Sequence, residues 1–219
     1  MNSEPRIADL PATILLLPLA PWLLLPETML PVAITAPEGR AVIDAALAAD
    51  GWVGVVQARD DESRDPARRF YPVGCLARIH EESRGGDALH VRLEGVVRFR
   101  LRVELPPAGG LSRGDVEYGE FAGDLRRGEE EAEDLKLELF KDRILELGRQ
   151  QFGSAGALET MSPRQIILFM AQTAPLAPIE KQALLEARDF RALLDTLGQL
   201  FALNYLTTTP DTTPPSRVN

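Results

Sequence analysis

The stretch that decides the fold runs from Leu89 to Leu105 and reads LHVRLEGVVRFRLRVEL. Apolar and polar residues alternate up to Glu94, and the alternation resumes after Gly95, with arginine at positions 98, 100 and 102 and glutamate at 104. Successive side chains of a strand point to opposite faces, so the pattern predicts two antiparallel strands that each bury one face. Gly95 is predicted to be a bulge or turn between them, where a glycine permits a positive φ, and Arg98 is predicted to lie on the polar face beyond it.

Further strands are predicted on both sides of this stretch. The apolar runs of strand length are 14–17, 29–34, 52–58, 73–80 and 115–121, and Pro18, Pro26 and Pro31 punctuate the first two. One helix interrupts them, predicted from the capping-box spacing of Thr35 and Glu38 and ending at Ala49. Several short strands with little helix indicate a closed or nearly closed barrel.

The hydrophobic period changes to a helical one at Gly128. An acidic run from Glu129 to Asp134 predicts the start of a long helix, because carboxylates favour the positive end of the helix dipole. Three further helix starts are predicted, at Ser162-Pro163, at Pro178 and at Asp189. We therefore expect an α+β fold: a barrel over 11–122, a helical subdomain over 128–206 packed on it, and a disordered tail over 207–219.

Composition restricts the function class. The 219 residues carry 24 basic and 33 acidic side chains, a net charge of −9, which argues against a protein that mainly neutralises phosphates. The single cysteine excludes an intramolecular disulfide and is typical of a reducing compartment, so we expect a cytoplasmic protein. The apolar run from Ile14 to Leu25 contains Pro18 and Pro21 and is too short to span a membrane. No metal site or cofactor is expected, because two histidines and one cysteine cannot complete tetrahedral zinc without carboxylates.

Several motifs, in this order and spacing, resemble the Lon N-terminal domain. The motifs are Leu17-Pro18-Leu19, Leu25-Pro26, Leu30-Pro31-Val32, the run 73–79 that contains Gly74, the run 91–99 with Gly95 and Arg98, and two helical runs, 180–186 and 190–194. The resemblance covers Pro11 to Leu206. It implies a six-stranded pseudobarrel of the PUA-like type followed by a helical subdomain. Glu27 stands where the family has a turn glycine, so we expect a different turn there.

Catalytic motifs are missing from the sequence. No G-x-x-x-x-G-K-[ST] phosphate loop occurs, and Ser154 only superficially echoes the nucleophile of the protease module in full-length Lon. Cys75 lies in an apolar strand, where cysteine usually acts as a small buried hydrophobe. We therefore expect a protein that is not an enzyme, and for which the word protease would describe ancestry.

The resemblance implies a module that binds exposed segments of other proteins. The candidate contacts are Trp22, Leu24 and Met29, beside prolines that cannot complete a ladder, and Trp52, which follows the helix-ending Gly51. Ordinary core or rim positions for both tryptophans remain the alternative. The expected partners are unfolded or degron-bearing proteins. A separate ATP-dependent protease or chaperone and weak self-association stay open, and the net charge favours neutral or basic segments.

The alternative function is an RNA-binding PUA-like module. Its basic face would comprise Arg92, Arg98, Arg100 and Arg102, with Phe70 and Tyr71 stacking on bases. The competing interpretation is a solvated face on which these arginines pair with Glu94, Glu104 and Glu117 across strands. The overall acidity favours the second interpretation.

Overall fold

The computed structural model describes residues 5–59, 69–85, 87–125 and 160–208. Its strands are β1 Thr13–Pro18, β2 Met29–Ile34, β3 Trp52–Val56, β4 Val73–Gly85, β5 Ala88–Ala108 and β6 Leu111–Glu117. Its α-helices are α1 Pro37–Ala48, α2 Pro163–Thr173, α3 Pro178–Leu185 and α4 Phe190–Thr208, and short 3-10 turns occupy Ile7–Asp9 and Gly119–Leu125. The predicted α+β class is confirmed. The predicted long helix from Glu129, Ser154 and the tail beyond Thr208 lie outside the described residues.

The strands form a closed barrel with one additional strand. Their order is β2-β5-β4-β3-β1-β6, and β6 also pairs with β5, which closes the ring of five strands. β1 and β3 are parallel, and the other pairs are antiparallel. β2 pairs with the first half of β5, from Met29 opposite Glu94 to Ile34 opposite Leu89. The six-stranded pseudobarrel expected from the resemblance is thus present.

β5 is one long strand, so the prediction of two strands separated at Gly95 is wrong. The predicted bulge is present, because Leu76 pairs with Val97 while the next residue, Ala77, pairs with Gly95. Gly95 does not have a positive φ. Glycine is needed there because a Cβ would lie 2.0 Å from the carbonyl oxygen of Leu25. The turn after Leu25 packs directly onto the strand.

The core fills the barrel and extends under the helices. Gly74 has a packing role, because a Cβ on it would lie 2.4 Å from the Phe99 ring, whose side chain is fully buried. α1 covers part of the barrel through Val42 and Ile43. This helix begins at Pro37 after an Ala36 N-cap, so the predicted Thr35 cap is wrong.

The later helices begin as the sequence indicates. Ser162 caps α2 through a reciprocal capping box with Gln165, and Pro178 is the first residue of α3. The Asp189 carboxylate accepts a hydrogen bond from the Ala192 amide at 2.8 Å, at the start of α4. Within the described chain, no helix combines the length and apolarity that crossing a bilayer needs.

Buried polar contacts join the helices to the barrel. Arg98 is only 5% exposed, so its predicted place on a solvated polar face is wrong. Its guanidinium pairs with Asp124 at 2.7 Å and donates to the carbonyl oxygens of Leu185 and Ala187 at the C-terminal end of α3. The Lys181 amine donates to the carbonyl oxygen of Pro21 at 2.8 Å.

Candidate functional site

A row of four side chains crosses four neighbouring strands. Met29 on β2 is opposite Glu94 on β5, Glu94 is opposite Arg78 on β4, and Arg78 is opposite Trp52 on β3. Directly opposed residues project from the same face of a sheet. With strands spaced about 4.8 Å apart, the row spans roughly 14 Å from Met29 to Trp52.

This row belongs to a larger exposed surface, which we call the four-strand face. Alternate residues of β2 and β5 are buried below it, including Leu30, Val32, Val91 and Leu93, because the strand period places every second side chain in the core. Its members are all exposed or half-buried: Met29, Pro31, Ala33, Trp52, Arg78, His80, His90, Arg92 and Glu94.

The polar groups at the centre of the face are ordered by specific contacts. The Arg78 guanidinium lies over the Trp52 ring at 4.6 Å from its centroid and donates to the carbonyl oxygen of Asp50 at 2.9 Å. His80 Nε2 and Glu94 Oε2 are 2.5 Å apart. One side of the indole is therefore covered by a cation, and the surface is apolar at its two ends and charged between them.

Two of the four predicted contact residues lie on this face. Met29 is 42% exposed, and Trp52 is a half-buried rim residue. Trp22 is 46% exposed in a different place, the loop between β1 and β2 next to the Pro21 carbonyl that Lys181 contacts. Leu24 is only 1% exposed, so the expectation that it lies near the surface is wrong, because its side chain fills the core.

The continuous basic face required by the RNA hypothesis does not form. Arg98 is buried, Arg100 pairs with Glu120 at 2.6 Å, and Arg102 pairs with Glu117 at 2.8 Å. Of the glutamates expected to pair with these arginines, only Glu117 does so. Glu94 contacts His80 and Glu104 contacts Arg69 instead.

The aromatic residues of the RNA hypothesis are also engaged. Phe70 is 7% exposed and lies under the guanidinium of Arg69, at 5.1 Å from the ring centroid. The guanidinium of Arg59 lies over the ring of half-buried Tyr71 at 5.6 Å. Neither ring is an open platform for a base.

The turn before β2 connects the barrel to α2. Glu27 has φ of 65°, a left-handed conformation that fits the family's glycine at this position. Its carboxylate accepts hydrogen bonds from the Arg164 guanidinium, at 2.9 Å from one nitrogen and 3.3 Å from another. Arg164 also lies over the Phe190 ring at 4.1 Å. These groups, with Arg98 and Asp124, line a small half-open pocket of about 30 Å³.

The described residues include no obvious nucleophile or metal-binding group of side chains. Cys75 is fully buried, and this burial raises the pKa of its thiol, which keeps it from acting as a nucleophile. Among the described residues, no three histidine, cysteine or carboxylate side chains are grouped as a metal site would require.

Comparison with solved structures supports this fold. A Lon N-terminal domain protein from Xanthomonas campestris aligns with a TM-score of 0.55 at 23% identity, covering 87% of this chain and 97% of that one. The N-terminal domain of a Mycobacterium avium complex Lon protease aligns with a TM-score of 0.62 at 19% identity, covering 87% and 98%.

The family model described as the ATP-dependent protease La (LON) substrate-binding domain matches residues 13–201. The chain belongs to this Lon substrate-binding domain family. Among curated relatives, Lon protease 2 of Myxococcus xanthus is 29% identical over 196 residues, which are 88% of this chain and 24% of that protein. Lon protease 4 of Sorangium cellulosum is 31% identical over 172 residues, 76% of this chain and 20% of that protein. The chain thus spans a quarter or less of these relatives.

The sequence analysis gave no role to Arg78 and His80, which the structure places on the four-strand face. Arg78 falls at an unspecified position of the motif over 73–79, and His80 follows that motif, so neither residue was marked for a role. Only the pairing of β3, β4, β5 and β2 brings them between Trp52 and Met29.

Proposed function

We propose that this protein is a non-catalytic recognition module that binds extended, partly apolar segments of other proteins on its four-strand face. The observation that carries the proposal is the row from Met29 to Trp52. An extended peptide advances about 3.3 Å per residue, so a segment of about five residues would cross the row and contact an apolar side chain at each end. Membership of a substrate-binding domain family supports this function.

Among the described residues no strand pairs with the outer edge of β2, and this edge gives such a segment a second means of contact. The Gly95 amide donates to the Thr28 carbonyl, so by antiparallel alternation Leu30 and Val32 direct their backbone groups toward β5. The alternate residues Met29, Pro31 and Ala33 direct theirs away from the sheet, and Pro31 has no N–H. This edge therefore presents carbonyl acceptors beside the exposed Met29 side chain, as strand-addition modes require.

The proposed partners are unfolded or degron-bearing proteins that a Lon-type ATP-dependent protease would then receive. Catalysis is not part of the proposal, since the matched family is a binding domain and the single thiol is buried. That single unpaired thiol also supports a cytoplasmic location. A small site of this kind should bind weakly, with a Kd in the range of roughly micromolar to millimolar.

The test measures binding of a fluorescein-labelled, permanently unfolded protein by anisotropy. Met29→Ala and Trp52→Ala should each weaken binding by about threefold or more, because each removes an apolar contact at one end of the row. Val103→Ala is the matched control, since Val103 is 54% exposed and outside the face. Circular dichroism and thermal unfolding establish that each variant folds. Equal binding by all variants would refute the proposed site.

A second readout follows the site directly. The chain has two tryptophans, so Trp22→Phe leaves Trp52 as the single indole reporter. Adding the unfolded protein should shift the emission of Trp52 in this variant. The Trp22→Ala variant tests the separate loop surface. If this variant loses binding while Met29→Ala and Trp52→Ala retain it, the binding site lies on the loop.

A further inference from the structure

The Trp52 side chain is held by two kinds of contact. It is half-buried and packs against the core, and the Arg78 guanidinium lies over its ring at 4.6 Å from the centroid. The two residues are directly opposite each other on β3 and β4, so both side chains project from the same face. A planar guanidinium stacks on an indole and is attracted by its π-electrons. These contacts together favour one orientation of the ring.

The Arg78 guanidinium is fixed in turn by the segment that leads into β3, because it donates to the Asp50 carbonyl at 2.9 Å. The Gly51 amide donates to the Ala46 carbonyl of α1 at 2.8 Å, and the Ile79 amide of β4 donates to the Gly51 carbonyl at 3.0 Å. Gly51 has φ of 76°, a left-handed conformation that glycine adopts without steric cost. The carbonyl that holds Arg78 therefore belongs to a turn bonded to both α1 and β4.

We propose that Arg78 is a positioning residue for peptide recognition, which orders the Trp52 indole before a segment binds and acts through this ring instead of contacting the segment. This inference rests on the proposed function and adds a residue on which its affinity depends. The physical reason is conformational entropy, since a side chain that is already ordered loses less freedom when a ligand contacts it.

A double-mutant cycle tests whether Arg78 acts through Trp52. Binding of the fluorescein-labelled unfolded protein is measured for the parent, Arg78→Ala, Trp52→Ala and the double variant. We expect Arg78→Ala to weaken binding about two- to fivefold, and no more than Trp52→Ala does. In the Trp52→Ala background the same change should have little further effect, because the ring that Arg78 orders is absent.

The control for the cycle is Arg6→Ala, which removes an arginine that is 81% exposed and outside the four-strand face. This variant should bind like the parent. Thermal unfolding establishes that each variant folds. If Arg78→Ala does not fold, Arg78→Met takes its place in the cycle, since it keeps an apolar stem and removes the guanidinium that contacts the ring and the Asp50 carbonyl.

Time-resolved fluorescence anisotropy measures the order of the ring itself. In a Trp22→Phe background Trp52 is the single indole, and Arg78→Ala should increase the amplitude of its subnanosecond depolarisation in the absence of ligand. Arg78→Lys keeps the positive charge without the planar group, so it should restore only part of the ring order and of the binding. Full recovery of binding without recovery of ring order would assign the role to charge and overturn the inference.

The outcomes of the cycle separate the two proposals. Equal weakening by Arg78→Ala with and without Trp52 would mean that the arginine contacts the segment directly. No weakening in the parent would mean that it has no role. Either result overturns the positioning role and leaves the proposed function standing, as long as Met29→Ala and Trp52→Ala weaken binding. If neither of these two variants weakens binding, both proposals fail.

Discussion

Gly95 on β5 and Glu27 in the turn before β2 show how closely the backbone is packed where the two segments meet. Gly95 exchanges backbone hydrogen bonds with the turn, accepting from the Glu27 amide and donating to the Thr28 carbonyl, both at 2.9 Å. Glu27 adopts a left-handed φ, which costs a non-glycine residue of order 1 kcal/mol. Gly95 is a glycine because a Cβ there would collide with the Leu25 carbonyl oxygen. Glu27 is kept in its strained conformation by the pairing of its carboxylate with Arg164.

Replacing Gly95 by Val should destabilise the protein by about 2–4 kcal/mol, because even the Cβ would collide with the Leu25 carbonyl oxygen and the turn must move. Chemical denaturation measures the loss. Gly119→Ala is the control, since no atom lies within 4 Å of the Cβ position there and the loss should be below about 1 kcal/mol. Similar losses in the two variants would contradict the contact explanation.

Replacing Glu27 by Gly should also destabilise the protein, by about 1–3 kcal/mol, although it restores the residue best suited to this φ. The relief of strain is smaller than the cost of leaving the 10% exposed Arg164 side chain without its carboxylate. In an Arg164→Met background the same change should become neutral or stabilising. A stabilising Glu27→Gly in the parent would show that the ion pair contributes less than the strain.

At the scale of elements, β5 organises the sheet because it pairs with β2, β4 and β6 along its length. Its outward arginines hold the elements around it, Arg98 and Arg100 reaching Asp124 and Glu120 in the 3-10 turn after β6. Pro31 is tolerated in β2 because its position directs backbone groups to the open edge, where no ladder donor is required. The same proline limits uncontrolled pairing at that edge.

The contact between β5 and this turn should be sensitive to acid. Hydrogen bonding from Arg100 lowers the pKa of Glu120, so in acid the unfolded chain binds more protons at this residue than the folded one. The pair therefore stabilises the fold above the ordinary pKa of glutamate, and this contribution is lost as pH falls through the lowered value. The parent should have a higher Tm than Glu120→Gln at neutral pH, and this difference should disappear in acid.

An Arg100→Gln background provides the control for that experiment. Without Arg100, the Glu120→Gln change should have a similar small effect at every pH. A pH dependence that persists in this background would assign the effect to other groups.

At the scale of the molecule, the barrel and the helices are joined by buried polar contacts. Arg98 reaches the carbonyls after α3, Lys181 reaches Pro21, and Gln182 donates to the Val73 carbonyl at 3.2 Å. Burial lowers the pKa of Lys181, because it disfavours the charged amine. The hydrogen bond from this amine to the Pro21 carbonyl anchors the loop that carries Trp22. We propose that the helical subdomain over 128–206 and the barrel over 11–122 unfold together.

Limited proteolysis tests this coupling. Under native conditions no stable fragment ending near Leu125 should accumulate, because removing the helices would take two carbonyl acceptors from the buried Arg98 guanidinium and the Gln182 amide from the Val73 carbonyl. An Arg98→Met/Asp124→Leu variant keeps apolar packing and serves to compare the coupling without the ion pair. Rapid release of a folded fragment over residues 1–125 from the parent would refute the proposal.

The sequence by itself determined most of the described elements, because their signals are local, although it divided β5 in two and misplaced the cap of α1. Alternation placed β5, proline and serine placed the starts of α2 and α3, and the ordered motifs around Pro18, Gly74 and Gly95 indicated the Lon N-terminal family. These features depend on residues within a few positions of each other, where strand and helix periods decide which side chains can be buried.

The tertiary structure decided which residues meet. Leu24 and Arg98 are buried by chain segments distant in sequence, and the row from Met29 to Trp52 depends on three strand registers that one-residue shifts would destroy. A polar residue such as Arg78 has the same local pattern on a surface, in a core or in a binding site. Its role is set by the partners that strand pairing brings to it, since burial and charge depend on the folded surroundings.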